Sequence, residues 1–133
     1  MIYSGTIVSK TGDEEPLFLD GKPVHSKYNP MNEASQFALS VKDSGFIIIA
    51  GIGAGFHIKA VKERFPSSFI LALEADEESL SFCKRFPVVK ELLKSDNIKF
   101  SICKMVSDDI KTHYIPAVYG GITFISQRAW ENE

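Results

Sequence analysis

The chain reads as a mixed α/β domain on an open, mostly parallel sheet, and three observations predict it. Two short runs, Phe46-Ile47-Ile48-Ile49-Ala50 and Phe69-Ile70-Leu71-Ala72-Leu73, are continuously apolar, as strands covered on both faces must be. The first empties into Gly51, Gly53 and Gly55, the glycines of a tight strand-to-helix turn that needs φ values other residues resist. Segments with apolar residues at helical spacing lie between the strands, and that alternation calls for parallel pairing through right-handed crossovers. The expected class is Rossmann-like: helices on both faces of the sheet and an N-terminal β-hairpin extension. Residues 1–25 form the extension and 26–133 the nucleotide-binding type of domain, as one unit.

The elements follow in order. Ile2–Ser9 is β-branched enough for a strand, and Thr11-Gly12-Asp13-Glu14-Glu15-Pro16 is a polar turn. Leu17-Phe18-Leu19 and Pro23-Val24-His25, separated by Asp20-Gly21-Lys22, read as a hairpin, because Asp-Gly is a strong reversal signal. Asn29 is placed to cap a helix that Pro30 opens, with Glu33 in its first turn and Ala34, Phe37, Ala38 and Val41 on its apolar face. Asp43-Ser44-Gly45 ends that helix. Beyond the glycines, Phe56, Ile58, Ala60, Val61 and Phe65 punctuate a basic helix that stops at Pro66. Glu77–Arg85 is helical with Leu80 and Phe82 inward, and Pro87 opens another helix over Val88–Lys94. Ile98–Ile102 alternates and suits a sheet edge, Val106–Ile110 is a short turn or helix, and Gly120-Gly121 separates two apolar runs in the tail.

Composition narrows the function classes. With 133 residues, 15 basic and 17 acidic, the chain is long enough for one self-sufficient core and carries a net charge of −2. That balance argues against a dedicated nucleic-acid or anionic-membrane binder. No apolar run approaches the ~20 residues of a membrane span, and the first residues lack the pattern of a signal peptide. Cys83 and Cys103 show no metal-ligand spacing and read as reduced thiols. The expected location is the cytoplasm.

Chemistry concentrates at the glycine loop. Gly51, Gly53 and Gly55 match G-x-G-x-G, whereas the dinucleotide fingerprint wants its third glycine where Phe56 stands. The spacing counts against NAD or FAD and resembles the loop of S-adenosylmethionine-dependent methyltransferases. Glu74 closes the next strand, where a carboxylate accepts hydrogen bonds from ribose hydroxyls. The competing reading is purely structural: glycines for close packing and Glu74 as a cap for the following helix. His25, Ser26, Lys27 and Asn29 gather donors just ahead of a helix N-terminus, suited either to a phosphate or to a capped surface turn. His57 faces a ligand or covers the helix start. His113 has no partner type nearby, Asp108-Asp109 reads as a helix cap, and Lys59, Lys62 and Arg64 as a solvated face. Ile115, Val118, Tyr119, Ile122, Phe124, Ile125 and Trp130 crowd residues 114–130. They complete the core or form an interface with a second copy.

Taken together, His25-Ser26-Lys27-Tyr28-Asn29-Pro30-Met31-Asn32-Glu33-Ala34, Ile48-Ile49-Ala50-Gly51-Ile52-Gly53-Ala54-Gly55-Phe56-His57 and Leu73-Glu74-Ala75-Asp76 resemble the amino-terminal part of the motility accessory factor family. These flagellin-modifying proteins are similar to archaeal 6-hydroxymethylpterin diphosphokinase-like proteins. The likeness spans roughly residues 17 to 76, a little under half of the chain. It implies a Rossmann-like domain holding a nucleotide-linked ligand: a nucleotide-activated nonulosonic sugar destined for flagellin, or ATP in the pterin branch. Gly53–His57 would then meet the diphosphate, Glu74 the ribose and Lys27 the phosphate charge. Family members of the first kind are several times longer, with the transferase region after the matched part. The resemblance therefore implies a binding domain that depends on a further C-terminal domain for catalysis. A small methyltransferase and a non-catalytic scaffold module are the alternatives.

Overall fold

Two neighbouring strands are buried along their whole length, and the rest of the fold is laid against them. The computed structural model describes residues 1–132. In chain order the elements are β1 (Tyr3–Val8), β2 (Glu14–Phe18), α1 (Pro30–Ser40), β3 (Phe46–Ala50), α2 (Phe56–Arg64), β4 (Phe69–Glu74), α3 (Glu77–Cys83), α4 (Pro87–Leu92), β5 (Ile98–Ile102), α5 (Val106–His113), α6 (Pro116–Tyr119) and β6 (Ile122–Ser126). Short 3-10 turns cover Cys103–Met105 and Arg128–Asn132. Among the described residues no helix is long and apolar enough to cross a membrane.

Every residue of β3 and β4 is buried, which is why both read as unbroken apolar runs. They form the middle of a four-stranded parallel sheet in the order β5-β4-β3-β6. Alternate residues face opposite cores. Ile47, Ile49, Ile70 and Ala72 pack with Ala34, Ala38, Ile58, Val61, Leu80 and Val89 from α1 to α4. Phe46, Ile48, Phe69 and Leu71 pack with Val106, Ile110, Tyr114 and Tyr119 from α5 and the segment behind it. Both sheet faces are therefore covered by helices. β5 lies at one edge, as its alternation predicts, and β6 at the other.

β3 is reached from two directions. The chain proceeds from β3 through α2 to β4, then outward to β5, and returns across the sheet to place β6 on the far side of β3. The strand order thus reverses between β3 and β6, and the crevice between their carboxyl ends is open to both halves of the fold.

Two local expectations are corrected. The N-terminal hairpin pairs β1 with β2, Ile7 opposite Glu15 and Val8 opposite Glu14, around the turn that contains Gly12 at φ 86°. The Asp20-Gly21 reversal supports only an isolated bridge from Leu17 to Pro23. The second partner there begins with a proline, which has no amide to extend a ladder. The basic face of α2 is not wholly solvated either. Arg64 donates to the carbonyls of Ala38 and Val41 at the end of α1, and Lys62 donates to Asn97. A cation at the helix-end carbonyls offsets the dipole.

The entrance to α1 forms as its residues dictate. Asn29 Oδ1 accepts the Asn32 amide at 3.1 Å and Pro30 occupies the first helical turn. Ser26 Oγ accepts the Tyr28 and Asn29 amides, both at 3.2 Å, and Glu33 Oε1 accepts the Ser26 amide at 3.0 Å.

Candidate functional site

The glycine loop links β3 to α2 at the carboxyl end of the sheet. Gly51, Gly53 and Gly55 all have positive φ (94°, 54° and 84°), a conformation side chains resist. Space excludes side chains as well. A Cβ on Gly51 would lie 2.9 Å from both Gln127 Cβ and Trp130 Cγ, and one on Gly53 would lie 2.5 Å from His25 Nε2. The glycines therefore admit protein atoms at close range.

Four of the loop amides have partners within the chain. Gly51 N donates to Leu73 O at 2.8 Å, Ile52 N to Glu74 Oε2 at 3.2 Å, Ala54 N to His25 Nε2 at 2.9 Å and Gly55 N to Ile52 O at 2.9 Å. His25 is thus brought to the loop from the segment before α1, where Phe56 packs edge-on against its ring at 5.0 Å. Its neighbours in sequence are not brought there. Ser26 and Asn29 are engaged at the α1 entrance, and Lys27 is exposed with its ammonium 5.4 Å from the Tyr28 ring centre.

Glu74 is fully buried and is the most heavily bonded carboxylate in the site. Oε2 accepts Tyr3 OH at 2.6 Å, the Ile52 amide, and the Cys83 thiol at 3.2 Å. Oε1 accepts the Ala75 amide and Trp130 Nε1, both at 3.1 Å. Burial, followed by the charge of Glu74, raises the pKa of Tyr3 and of Cys83, so both remain donors at neutral pH. The cap on α3 is Asp76, whose Oδ1 accepts the Ser79 amide at 2.7 Å. Glu74 does not fill that role.

On the other side of the loop lies a cavity of about 450 Å³. His25, His57, Phe37 and Gln127 line its inner part, and Glu33 and Arg128 are exposed members of its lining. His57 Nε2 and the carbonyl of Gly51 are 2.7 Å apart. A carbonyl only accepts, so Nε2 carries the proton and Nδ1 a lone pair. That Nδ1 is buried with no partner among the described residues. For His25 the same logic reverses the tautomer, since Nε2 accepts from Ala54 and the proton sits on Nδ1. Burial depresses both imidazoles. His57 falls to about 4, and His25 falls well below its ordinary value, with the neighbouring His57 contributing. Two neutral rings, 5.6 Å between centres, therefore flank the cavity at pH 7.

Sequence reasoning named Gly51, Gly53, Gly55, Phe56, His57, Glu74 and His25, and the fold assembles these around one loop. It did not find Tyr3, Cys83, Gln127 or Trp130, which close the Glu74 side, or Glu33, Phe37 and Arg128, which line the cavity. A lone tryptophan in an apolar tail was the one signal available. His113 stacks on Phe69 at 5.3 Å between centres, and Asp108 and Asp109 sit in the first turn of α5, away from the loop. The tail splits: Ile125 and Trp130 pack against the core, while Ile115, Val118, Ile122 and Phe124 are exposed.

No family model matches the chain. It is similar to an uncharacterized protein of Treponema pallidum (strain Nichols), with 36% identity over 50 residues. That stretch is 38% of this chain and 57% of the relative, so the chain spans a little over half the length of the protein it matches.

Proposed function

We propose that this domain binds a nucleotide or nucleotide sugar in the crevice between the carboxyl ends of β3 and β6, as a Rossmann-like module of the motility accessory type. The observation that carries the reading is where the cavity lies. Open parallel sheets take ligands outside the carboxyl ends of their strands, where the strand order reverses. The order β5-β4-β3-β6 reverses between β3 and β6, and the cavity is lined by the end of β6 at Ile125, Ser126 and Gln127, by α1, and by His57, which bonds the Gly51 carbonyl. Its volume of about 450 Å³ lies in the range of small-molecule sites. Phe37 and Ile125 offer apolar walls for a flat ring, and Arg128 at the rim offers a charge for phosphate. Loop amides already engaged with His25 and Glu74 make a weaker phosphate cradle than the motif alone suggests. In this reading the ligand is held chiefly by the cavity. Any transfer would displace a nucleotide leaving group, with the domain contributing position and charge neutralisation.

Thermal unfolding with CMP, UDP, ADP, ATP or S-adenosylmethionine tests this. At least one nucleotide is expected to raise the midpoint in wild type. Ser126→Trp, which fills the cavity from its lining, is expected to abolish that shift. Stabilisation by S-adenosylmethionine alone would move the assignment to a methyltransferase, and no stabilisation by any of the five would overturn it.

A second reading is favoured by the free edge of β6, where Phe124 is 61% and Ile122 42% exposed. Apolar residues on an unpaired edge strand suit a scaffold that pairs with a second copy of itself.

A further inference from the structure

The half of the crevice on the β4 side is filled by the chain itself. Gln127 leaves β6 with its backbone amide on Ala50 O, and its side-chain amide donates to Val24 O, each at 2.7 Å. The Trp130 amide returns to Gln127, 2.9 Å from Oε1 and 3.0 Å from the backbone carbonyl. This double tie delivers the indole onto Gly51, where a Cβ would lie 2.9 Å from Trp130 Cγ. Nε1 then reaches Glu74 Oε1 at 3.1 Å. Of the three side chains that donate to Glu74, Tyr3 and Cys83 are buried in the framework, and Trp130 is partly exposed.

We propose that the Trp130 indole is an exchangeable occupant of Glu74. A ligand carrying a vicinal diol takes over the hydrogen bond to Oε1, and the indole leaves Gly51. The inference rests on the nucleotide reading and names the ligand feature that reading leaves open, a ribose with both hydroxyls. One donor to a carboxylate replaces another, so the exchange is close to balanced in hydrogen bonds. The two events are not equivalent for affinity, because a site occupied by its own side chain binds more weakly in proportion to its occupancy. Gly51 then has a second purpose beyond the turn: its lack of a Cβ leaves room for the indole, and for a sugar once the indole has gone.

Trp130 is the sole tryptophan, so the wild-type chain reports on itself. Binding of CMP, UDP, ADP and ATP is measured by calorimetry, with tryptophan emission and acrylamide quenching read in the same titration. Exchange predicts a red shift and stronger quenching as each binding nucleotide saturates, and neither with its 2′,3′-dideoxy form. Trp130→Phe retains an aromatic body and removes the donor. It is expected to bind the ribonucleotide about tenfold more tightly, the scale of one charge-assisted hydrogen bond. Binding heat with unchanged emission, or equal affinity in Trp130→Phe, overturns the exchange and leaves the nucleotide reading intact. Heat from Trp130→Phe alone supports a tightly closed latch. No heat from either protein removes the nucleotide reading and the exchange with it.

Discussion

The two flanks of the glycine loop share a backbone and differ in how their polar groups are used. On the β4 flank Glu74 collects donors from Tyr3, Ile52, Ala75, Cys83 and Trp130. On the β6 flank His57 Nδ1 is buried with no partner among the described residues, beside a cavity of about 450 Å³. Folded chains rarely leave a buried acceptor unmatched. The difference teaches that one loop supports two tasks: apart from the exchangeable Trp130 contact, one flank ties the N- and C-terminal segments to the sheet, and the other keeps space and chemistry free. Substitutions that separate the flanks should therefore divide into losses of stability and losses of ligand.

The largest effect is expected at Glu74. Glu74→Ala leaves the Tyr3 hydroxyl, the Ile52 amide and the Trp130 indole without an acceptor in a buried site. Removing one partner from a buried, charged network costs about 3–5 kcal/mol. Urea unfolding should show that loss, with the isosteric Glu74→Gln recovering part of it. A loss under 1 kcal/mol would mean that the closed flank does not hold the fold together.

Gly51→Ala comes next, because it combines a positive φ of 94° with contacts of 2.9 Å to Gln127 Cβ and Trp130 Cγ. Left-handed backbone and overpacking each cost on the order of 1–2 kcal/mol, so a loss of about 2–4 kcal/mol is expected. In a Trp130→Ala background the cost of Gly51→Ala should be about 1 kcal/mol smaller, because the crowding is relieved. Equal costs with and without the indole would show that the strain lies in the backbone alone.

The pH dependence of stability sharpens the contrast further, because the buried groups have opposite signs. His57 has its folded pKa lowered to about 4 from 6.5, chiefly by burial. The unfolded chain therefore binds more protons in that interval, and stability is lost as pH falls from 6.5 towards 4. Glu15 is raised to about 8 from 4.5 by burial and by the nearby charge of Glu33, with neither carboxyl oxygen partnered among the described residues. Its folded form holds the extra proton, so stability present below 4.5 is lost as pH rises through 8. His57→Phe should flatten the acid limb of a stability–pH profile. Glu15→Gln should flatten the alkaline limb and raise stability at pH 8–9 by about 1–3 kcal/mol. If both variants leave the profile unchanged, neither group is buried in the ionisation state described.

What could be read from the sequence follows the range of the interactions. Continuous apolar runs at 46–50 and 69–73, the cap at Asn29-Pro30 and the glycines after β3 are local patterns, and each forms where its pattern lies. The role of Glu74 is not local. A carboxylate at a strand end looks the same whether its donors come from a ribose or from Tyr3 and Trp130, 71 and 56 residues away in the chain. The hairpin shows the same limit on a smaller scale. Thr11-Gly12 and Asp20-Gly21 are both reversal signals, and the ladder forms at the first because Pro23 cannot extend it at the second.

The smallest expected effect lies farthest from the loop. Phe124 on β6 is 61% exposed, so Phe124→Lys removes little buried surface and should change monomer stability by no more than about 0.5 kcal/mol. A lysine on an edge strand does, however, oppose pairing with another strand. Light scattering across a concentration series should show self-association in wild type and its loss in Phe124→Lys, with nucleotide binding unchanged because Phe124 is outside the cavity lining. A wild type that remains monomeric at high concentration would remove the scaffold reading. It would also leave both faces of β6 to be explained by folding alone, against the exposure of Ile122 and Phe124. A lysine variant that lost ligand as well would show instead that the β6 edge and the open flank act as one unit, since β6 carries Ile125 and Ser126 directly into the cavity wall.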